Sequence, residues 1–374
     1  MPALRRLALT ATLALAGAPA AIGSPLIVDF ADLGFASSAA LDIGPDGRVV
    51  GIRSDLDGFR VVLWQDGHAL SVLNSTPLAS AWRARLAPNN SVTLTGTLAG
   101  ESLERALFIT GGGEIVPLGA PGSRALAPTS QPGAVGAVLT DTGLVGARFA
   151  LGEPPDILQL PDASESGGID INGLGSILAV SRDALGTPST WLIEAQRTAS
   201  LIADAVEPAA LNDHAAIVGT RFDTNAPVLI TPERAIIDLP MIPGALGATP
   251  NDINNHAVIV GDALLFDEFF LPTTRAWAWT DSHGVIDLTT LAPDGWTLLT
   301  ADSINDAGQI VGRAEYQGIT TGYRLTLIPA PSTLALIPLS LLATGHRKRS
   351  PSTSRTRTRP DPSCRRAVRP SRVA

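Results

Sequence analysis

Three observations in the sequence predict an all-β fold, a β-propeller built from about seven four-stranded repeats. Gly and Pro are abundant, with 36 and 29 of 374 residues, and the apolar residues are rich in Val, Ile and Leu. Residues 24–328 lack any long stretch of helical periodicity and contain short apolar runs between turn residues. A short motif recurs at intervals of 33 to 51 residues, which is typical of propeller blades rather than helical solenoids.

The repeated motif consists of an apolar residue, an Asn/Asp turn, a small residue, two apolar residues and Gly. In its strongest form Ile304 is expected to end a first strand, Asn305 to Gly308 to form a hairpin turn, and Gln309 to begin a second strand. The three strongest copies lie at 302–312, 251–261 and 210–219, and four weaker copies at 41–51, 86–96, 139–146 and 169–179. Seven copies predict seven blades.

Each repeat continues with two further predicted strands. Apolar residues alternate on a third strand, as at Trp277 and Trp279, and a fourth strand ends in Asp-Leu, as at Asp287 and Leu288. This period of two allows one face of each sheet to pack on the next sheet.

The two ends of the repeat region complement each other. The seventh repeat stops after its third strand, at about Ile328, whereas residues 26–34 resemble a fourth strand with its Asp-Leu ending. We therefore expect the N-terminal strand to complete the last blade and close the ring, which removes the exposed sheet edges.

The Ile-Asn-Asp-x-Gly-x-Ile-Val-Gly signature, taken from residues 304–312, is followed in the repeats by an Ala-aromatic-x-aromatic strand, as at 276–279. This combination resembles the HAF-repeat family of extracellular bacterial proteins. The resemblance covers residues 26–328, most strongly in the last three repeats. It implies an exported protein and assigns no catalytic residues.

The N-terminus has the pattern of a secretory signal peptide. Arg5 and Arg6 precede an apolar stretch at 7–16, and small residues follow around Ala18 and Ala20. The apolar stretch is too short to span a bilayer. Residues 1–23 are therefore predicted to be a removable signal, and residues 24–328 the folded repeat domain.

The C-terminal segment 329–349 has three parts, a proline motif, an apolar stretch at 333–345 and a basic cluster. This order is typical of envelope retention, in which the basic residues stay on the cytoplasmic side. It resembles the PEP-CTERM sorting signal of Gram-negative bacteria, which implies processing by an exosortase and transient membrane insertion of the apolar stretch as a transmembrane helix. The residues that carry the resemblance are Pro329, Pro331, Ser332, Arg347, Lys348 and Arg349.

A plain anchor or a tail without a sorting role remains the alternative for this segment. Residues 350–374 are basic and rich in Ser, Thr and Pro, so we expect them to be disordered.

Charge and cysteine content narrow the function classes. The chain has a net charge of −8, and residues 24–345 alone carry −19 and no Lys. Such a domain repels nucleic acid and anionic polymers. The single cysteine, Cys364, lies in the basic tail, which excludes disulfides, thiol nucleophiles and cysteine–zinc sites from the repeat domain.

Candidate metal-binding residues are few. His214 and His256 share a repeat position and could form a metal pair if their turns converge, but exposed turn residues are the favoured interpretation because Ala307 replaces them in another copy. Segments 42–47 and 55–58 contain Asp/Gly fragments of the kind found in calcium loops, without the downstream bidentate acid. No cofactor motif is found.

The tryptophans separate into two groups. Four fall on matching third strands and are expected to be core residues between blades: Trp64, Trp191, Trp277 and Trp279. Trp82 and Trp296 lie outside that pattern and are the candidates for an exposed contact.

Together these patterns predict an exported, non-catalytic protein of the cell surface or extracellular space. It would bind or scaffold exopolysaccharide matrix through loops on one face of the ring. The alternative is a propeller enzyme, a hydrolase or lyase acting on polysaccharide or peptide, with acids or histidines at the channel mouth. A purely structural envelope protein is a third interpretation.

Overall fold

A computed structural model describes residues 26–329, apart from 34–36, 66–67, 88–89, 162, 195–197 and 268. Short alternating apolar segments form β-strands throughout this part of the chain, and a 3-10 helix, Leu288–Leu291, follows the twenty-fifth strand. The strands are β1 Leu26–Asp32, β2 Ser38–Ile43, β3 Val49–Asp55, β4 Gly58–Gln65, β5 His68–Val72, β6 Ser80–Leu86, β7 Val92–Thr97, β8 Arg105–Ile109, β9 Ile115–Pro117, β10 Arg124–Pro128, β11 Gly133–Thr140, β12 Gly143–Ala150, β13 Asp156–Ile157, β14 Glu165–Ile171, β15 Ile177–Arg182, β16 Pro188–Ile193, β17 Ala199–Asp204, β18 Val206–Leu211, β19 Ile217–Arg221, β20 Pro227–Ile230, β21 Ile236–Asp238, β22 Gly247–Ile253, β23 Ile259–Phe266, β24 Pro272–Thr280, β25 Gly284–Asp287, β26 Trp296–Leu298, β27 Ser303–Ile304, β28 Gln309–Tyr316 and β29 Ile319–Pro329.

These strands form seven antiparallel sheets, the blades of a propeller. Blades 1 to 6 each take four consecutive strands in chain order: β2–β5, β6–β9, β10–β13, β14–β17, β18–β21 and β22–β25. Blade 7 contains β26 and β27, which both pair with β28, followed by β29 and β1. The prediction of a seven-bladed, all-β propeller is confirmed.

The N-terminal strand closes the ring. β1 pairs with β29 in antiparallel register, with Leu26 opposite Pro329 and Asp32 opposite Tyr323. The backbone N–H of Leu33 continues this pairing by donating to the carbonyl of Gly322 at 3.0 Å. The predicted completion of the last blade by the first strand is therefore correct.

A bulge in the first strand explains the glycine of the repeated motif. In blades 1 to 6 the first strand carries one extra residue opposite the second strand. The bulge brings backbone close to the motif glycine: a Cβ on Gly51 would lie 2.0 Å from the carbonyl oxygen of Ala39, and one on Gly261 would lie 2.1 Å from that of Thr249. At Gly51 and Gly261 glycine is therefore needed for space rather than for a positive φ.

The structure corrects the position of two weaker repeats. In blade 2, Leu86 pairs with Val92 as Ile43 pairs with Val49 in blade 1, so Leu94 and not Gly96 takes the glycine's place. In blade 3 the repeat runs from 128 to 136, and the segment 139–146 belongs to the hairpin between β11 and β12. With these corrections the spacing becomes 43, 42, 43, 40, 42 and 51 residues.

The core lies between neighbouring blades. A cluster that includes Leu298, Ile310 and Tyr323 packs against Ala276 of the preceding blade. Trp64 is fully buried and donates its indole N–H to the carbonyl of Leu33 at 3.0 Å, which joins blade 1 to the chain that closes the ring. Apolar burial between sheets thus supplies the main stabilisation of this disulfide-free domain.

The terminal predictions fall outside the described residues. The predicted signal peptide, the apolar stretch at 333–345 and the basic tail all lie there. Within 26–329, wherever the structure is described, no helix has the length and apolar character needed to cross a membrane.

Candidate functional site: the central channel

The first strands of the blades surround a central channel, and one repeat position faces into it. This position precedes the last residue of the first strand and pairs with the residue just before the motif glycine. In blades 1 to 7 it is occupied by Asp42, Arg85, Ala127, Asp170, Ala210, Asp252 and Ser303. Most of these side chains are charged or polar, so the channel has a polar middle.

Arg85 lies at the centre of the ring. Its guanidinium lies 3.0 Å from a carboxylate oxygen of Asp42 in the adjacent blade and 4.0 Å from one of Asp252, which belongs to a non-adjacent blade. The three side chains are between 14% and 17% exposed. The neighbouring carboxylates raise the pKa of Arg85 above its ordinary value despite burial. Arg85 lines cavities on both sides of it and separates the two ends of the channel.

The channel aspartates tie blades together. One oxygen of Asp42 accepts a hydrogen bond from the backbone N–H of Leu86 at 2.7 Å, and Asp170 accepts in the same way from Leu211 at 2.9 Å. Asp252 accepts from Ile304 at 2.9 Å. Each of these bonds joins one blade to the next.

Burial opposes ionisation of Asp170 and Asp252. It raises the pKa of Asp170 to about 6, although Arg85 and two backbone N–H groups act in the opposite direction. Burial also raises the pKa of Asp252. The hydroxyl of Ser303 lies 2.7 Å from a carboxylate oxygen of Asp252 and 2.9 Å from one of Asp42. A hydroxyl has a single proton, so it can donate fully to one of them only.

The motif asparagines form a second set of hydrogen bonds between blades. They lie at the end of the channel that the turns between first and second strands surround. The side-chain amide of Asn254 donates to the carbonyl of Asn305 at 3.0 Å, and that of Asn305 donates to the carbonyl of Gly44 at 2.9 Å. The side-chain oxygen of Asn254 also accepts from the backbone N–H groups of His256 and Val258. The same pattern links the asparagines of blades 4 to 7: Asn172, Asn212, Asn254 and Asn305.

The opposite end of the channel opens toward the turns between second and third strands. Two cavities of about 190 and 350 Å³ lie here and share Leu41, Trp82, Arg83 and Asp302 as lining residues. Asp302 accepts a hydrogen bond from the hydroxyl of Thr300 at 2.6 Å, and burial raises the pKa of its carboxyl to about 6. We call this end the Arg83 mouth.

The two tryptophans predicted to be exposed have different surroundings. Trp82 lies at the Arg83 mouth, is 39% exposed, and donates its indole N–H to Glu104 at 3.0 Å. Trp296 lies in β26 and is partly buried, with its ring 5.0 Å from the rings of both Phe30 and Tyr316. Trp296 is thus part of an aromatic stack in blade 7, away from the channel cavities.

The four tryptophans on third strands lie where the repeat pattern predicts. Trp64 and Trp277 are fully buried, and Trp191 and Trp279 are partly buried. Trp191 donates its indole N–H to the hydroxyl of Ser181 at 2.8 Å.

The histidine and calcium candidates do not form a metal centre in the described part of the chain. His214 and His256 are exposed on successive turns, and no group of three or more metal-binding side chains occurs among the residues described. The carboxylates of the calcium-like fragments have arginine partners: Asp46 pairs with Arg48, Asp55 with Arg53, and Asp57 with Arg60.

Of the predicted sorting residues, Pro329 is the last residue of β29. The others lie outside the described residues: Pro331, Ser332, Arg347, Lys348 and Arg349.

Sequence reasoning missed Arg83 and Arg85. The signal that could have found them is the repeat itself: with the second copy placed correctly, Arg85 stands where three other copies have Asp in the channel-facing position, and Arg83 stands in the bulge.

Comparisons with known proteins give the fold. No protein-family model matches the sequence, and no curated protein matches it either. Among solved structures, a catalytically inactive virginiamycin B lyase from Staphylococcus aureus, in complex with quinupristin, is 12% identical with a TM-score of 0.54 and covers 81% of this chain and 100% of its own.

A second similar structure is the β-propeller domain of the Trilobed protease from Pyrococcus furiosus. It is 11% identical with a TM-score of 0.53, over 77% of this chain and 96% of that one. That domain has an open velcro topology, whereas β1 closes the ring here. At these identities the likeness establishes a β-propeller and does not extend to activity.

Proposed function

We propose that this chain is an exported, non-catalytic propeller of the cell surface or extracellular space that binds or scaffolds exopolysaccharide matrix. The non-catalytic part of the proposal rests on one observation: the channel carboxylates are engaged in hydrogen bonds between blades. Asp42, Asp170 and Asp252 each accept a backbone N–H from the next blade. Carboxylates occupied in this way stabilise the ring and are poorly placed for proton transfer to a substrate.

The binding part of the proposal rests on the Arg83 mouth. Its larger cavity, about 350 Å³, lies within the usual range for ligand sites, roughly 300–1,000 Å³. Trp82 presents a partly exposed ring there, and aromatic rings of this kind stack on the apolar faces of sugars. Hydroxyl groups of Ser37, Ser54 and Thr320 belong to the same lining.

Retention in gels that contain polysaccharide tests the binding part. We expect native electrophoresis to show retarded migration in gels containing xanthan or dextran relative to plain gels, with no release of reducing ends from either polymer. Trp82→Ala should reduce the retardation, whereas Trp296→Phe should leave it unchanged because that ring packs inside blade 7. Unretarded migration in every gel would contradict matrix binding, and release of reducing ends would contradict a non-catalytic role.

The export part of the proposal rests on the sequence of the two ends. The signal-like residues 1–23 and the proline–apolar–basic segment 329–349 support secretion followed by exosortase-type sorting in a Gram-negative envelope. The test compares the full chain with a form ending at residue 330, just beyond β29, in a host that contains an exosortase. Fractionation and intact mass should show the full chain retained, then trimmed near Pro331, while the shorter form goes directly to the medium. Equal behaviour of the two forms would contradict sorting.

The second candidate function, a hydrolase or lyase acting on polysaccharide or peptide, is favoured by one observation. Asp302 has a pKa of about 6 and lines the same mouth, and a carboxyl with a raised pKa can serve as a general acid. Asp302→Asn separates the two functions. Under the enzyme hypothesis it abolishes turnover of a polysaccharide or peptide substrate, whereas under the binding hypothesis there is no turnover to lose and gel retardation persists.

A further inference from the structure

The Arg83 mouth contains a cation without a partner. The guanidinium of Arg83 forms no hydrogen bond, and no ion pair within 4.0 Å, with any described residue. Its Nε is completely enclosed and lacks an acceptor, while the side chain lines both cavities of the mouth. The terminal nitrogens of Arg83 also have no acceptor among the described residues, so a ligand that enters the mouth and supplies one would be bound favourably.

The backbone that carries Arg83 is strained. Arg83 has a φ of +50°, in the left-handed region that side chains with a Cβ avoid. It lies in the bulge of the first strand of blade 2. In this blade Leu94 takes the place of the motif glycine, and neither Arg83 nor Leu94 has a partner in the strand register. Strain of this kind concentrates at functional sites, where it holds a side chain in a fixed position.

Charged groups of its own strand and of other blades face Arg83, and Arg313 of blade 7 lines the larger cavity of the mouth with it. Arg85 lies two residues away in the same strand, and Asp170, Asp252 and Asp302 face it from blades 4, 6 and 7. Burial is the main cause that lowers the pKa of Arg83, to about 10, so it remains a cation at neutral pH. The three carboxylates attract the guanidinium from a distance and leave its donors free.

We propose that Arg83 binds the carboxylate of a sugar acid at this mouth, an inference that rests on the proposed matrix-binding function. A guanidinium presents a planar fork of N–H donors that matches a carboxylate in a two-point contact. Trp82, the preceding residue, offers a partly exposed ring beside it for the sugar face. One residue pair thereby recognises both the charge and the ring of the ligand.

The surrounding charge limits the ligand to few carboxylates. The domain carries −19 between residues 24 and 345, and three aspartates face the site, so a polymer with a carboxylate on every ring is repelled. A single uronate at a chain end or on a side branch meets Arg83 with the least repulsion. Because Arg85 separates the two ends of the channel, the ligand binds at the mouth and does not thread through the ring.

Calorimetric titration of the full chain with D-glucuronate tests the proposal, with D-glucose and sulfate as comparison ligands. We expect glucuronate to bind more tightly than either, and Arg83→Met to weaken its binding by about tenfold or more. Arg83→Lys, which keeps the charge without the fork, should give an intermediate affinity. Arg221→Met is the matched control, because Arg221 pairs with Asp238 on the outer part of blade 5.

Two results would overturn the inference: equal glucuronate affinity in wild type and Arg83→Met, or sulfate binding as tight as glucuronate.

Electrophoresis in the polysaccharide gels distinguishes failure of this inference from failure of the proposed function. Retardation by xanthan that is insensitive to Arg83→Met leaves matrix binding in place and removes the sugar-acid site. Glucuronate binding through Arg83 without retardation in any gel supports the site and contradicts matrix binding.

Discussion

Arg83 and Arg85 both lie in β6, but only Arg85 has carboxylate partners. Arg85 is held by Asp42 and Asp252, whereas the guanidinium of Arg83 has no partner among the residues that the structure describes, and its Nε is enclosed. Burying a charge is costly unless it is paired, so the two residues should affect stability in opposite directions.

The prediction for this pair concerns thermal and denaturant unfolding. Arg85→Met leaves two carboxylates without their cation and should lower the free energy of unfolding by about 3 kcal/mol. Arg83→Met removes an unpaired charge and should raise it by about 1 kcal/mol. Denaturant titrations of both variants beside wild type give the values, and a loss of stability in Arg83→Met would show that its charge is compensated in the fold.

The channel carboxyls give stability a definite pH dependence. The pKa values of Asp170 and Asp302 are raised to about 6, above those of unfolded aspartates, so the folded state binds protons more tightly. The stability that these groups contribute is fully present below about pH 3.8 and is lost as the pH rises through about 6. Asp46 and Asp55, whose pKa values are lowered, stay ionised between about pH 7.5 and about pH 5 and do not change stability in that range. Their protonation lowers stability only when the pH falls to roughly 4.

We therefore expect the melting temperature to rise when the pH is lowered from about 7.5 to about 5. Asp302→Asn, which keeps the shape and removes the charge, should stabilise the protein at neutral pH by about 2 kcal/mol and flatten the pH profile. Asp141→Asn, at an exposed turn of blade 3, is the control and should change neither. Scanning calorimetry at several pH values checks this, and a profile in Asp302→Asn as steep as in wild type would be inconsistent with it.

At the scale of single elements, the asparagine turn after the first strand is a repeated device of blades 4 to 7. Its asparagine closes the turn by accepting two backbone N–H groups and reaches the next blade with its amide, as Asn254 does with Asn305. The same side chain therefore stabilises the turn and links its blade to the next one.

Asn254→Ala should destabilise the protein by about 3 kcal/mol, because three hydrogen bonds of a buried amide are lost and the carbonyl of Asn305 loses its partner. Gln131→Ala, an exposed amide in the corresponding turn of blade 3, should be neutral within about 0.5 kcal/mol. Chemical denaturation provides the comparison. Similar values for the two variants would mean that the ties between asparagines contribute little.

The bulge predicts a steric requirement at the motif glycine. Gly261→Ala places a Cβ 2.1 Å from the carbonyl oxygen of Thr249 and should cost about 3 kcal/mol, since backbone must move to admit it. Gly112→Ala, whose nearest neighbour is the Thr110 hydroxyl at 3.7 Å, should stay within about 0.5 kcal/mol of wild type. Thermal melts distinguish the two, and a wild-type melting temperature for Gly261→Ala would contradict the close approach.

Elements whose sequence signal lies in neighbouring residues could be predicted, whereas those that depend on residues far apart in the sequence could not. The hairpin turn at 305–308 depends on neighbouring residues only, and its prediction was correct. The blade 3 repeat was misplaced because its turn, 129–132, has no Asn or Asp. The charged middle of the channel could not be predicted from the sequence, because Arg85 and Asp252 come together only when blades far apart in the sequence assemble.

At the scale of the whole molecule, ring closure decides whether the seven blades act as one unit. The N-terminal strand pairs with β29 along its full length and contributes Phe30 to the core of the last blade. The sequence predicted this closure because the last repeat lacked a fourth strand and residues 26–34 resembled one. Both mouths of the channel depend on it, since blades 1 and 7 contribute to each.

A disulfide across the closing strands tests this central claim most directly. Ala31 lies opposite Arg324, so Ala31→Cys with Arg324→Cys, in a chain where Cys364 is replaced by Ser, should oxidise readily. The cross-link should stabilise the protein by about 4 kcal/mol, because it closes most of the chain into one loop. Ala31→Cys with Thr320→Cys, four residues away along β29, should not form a bond. Quantitative oxidation of the first pair alone, with a higher melting temperature, is the result expected of a closed ring; equal or absent oxidation of the two pairs would contradict closure by the N-terminal strand.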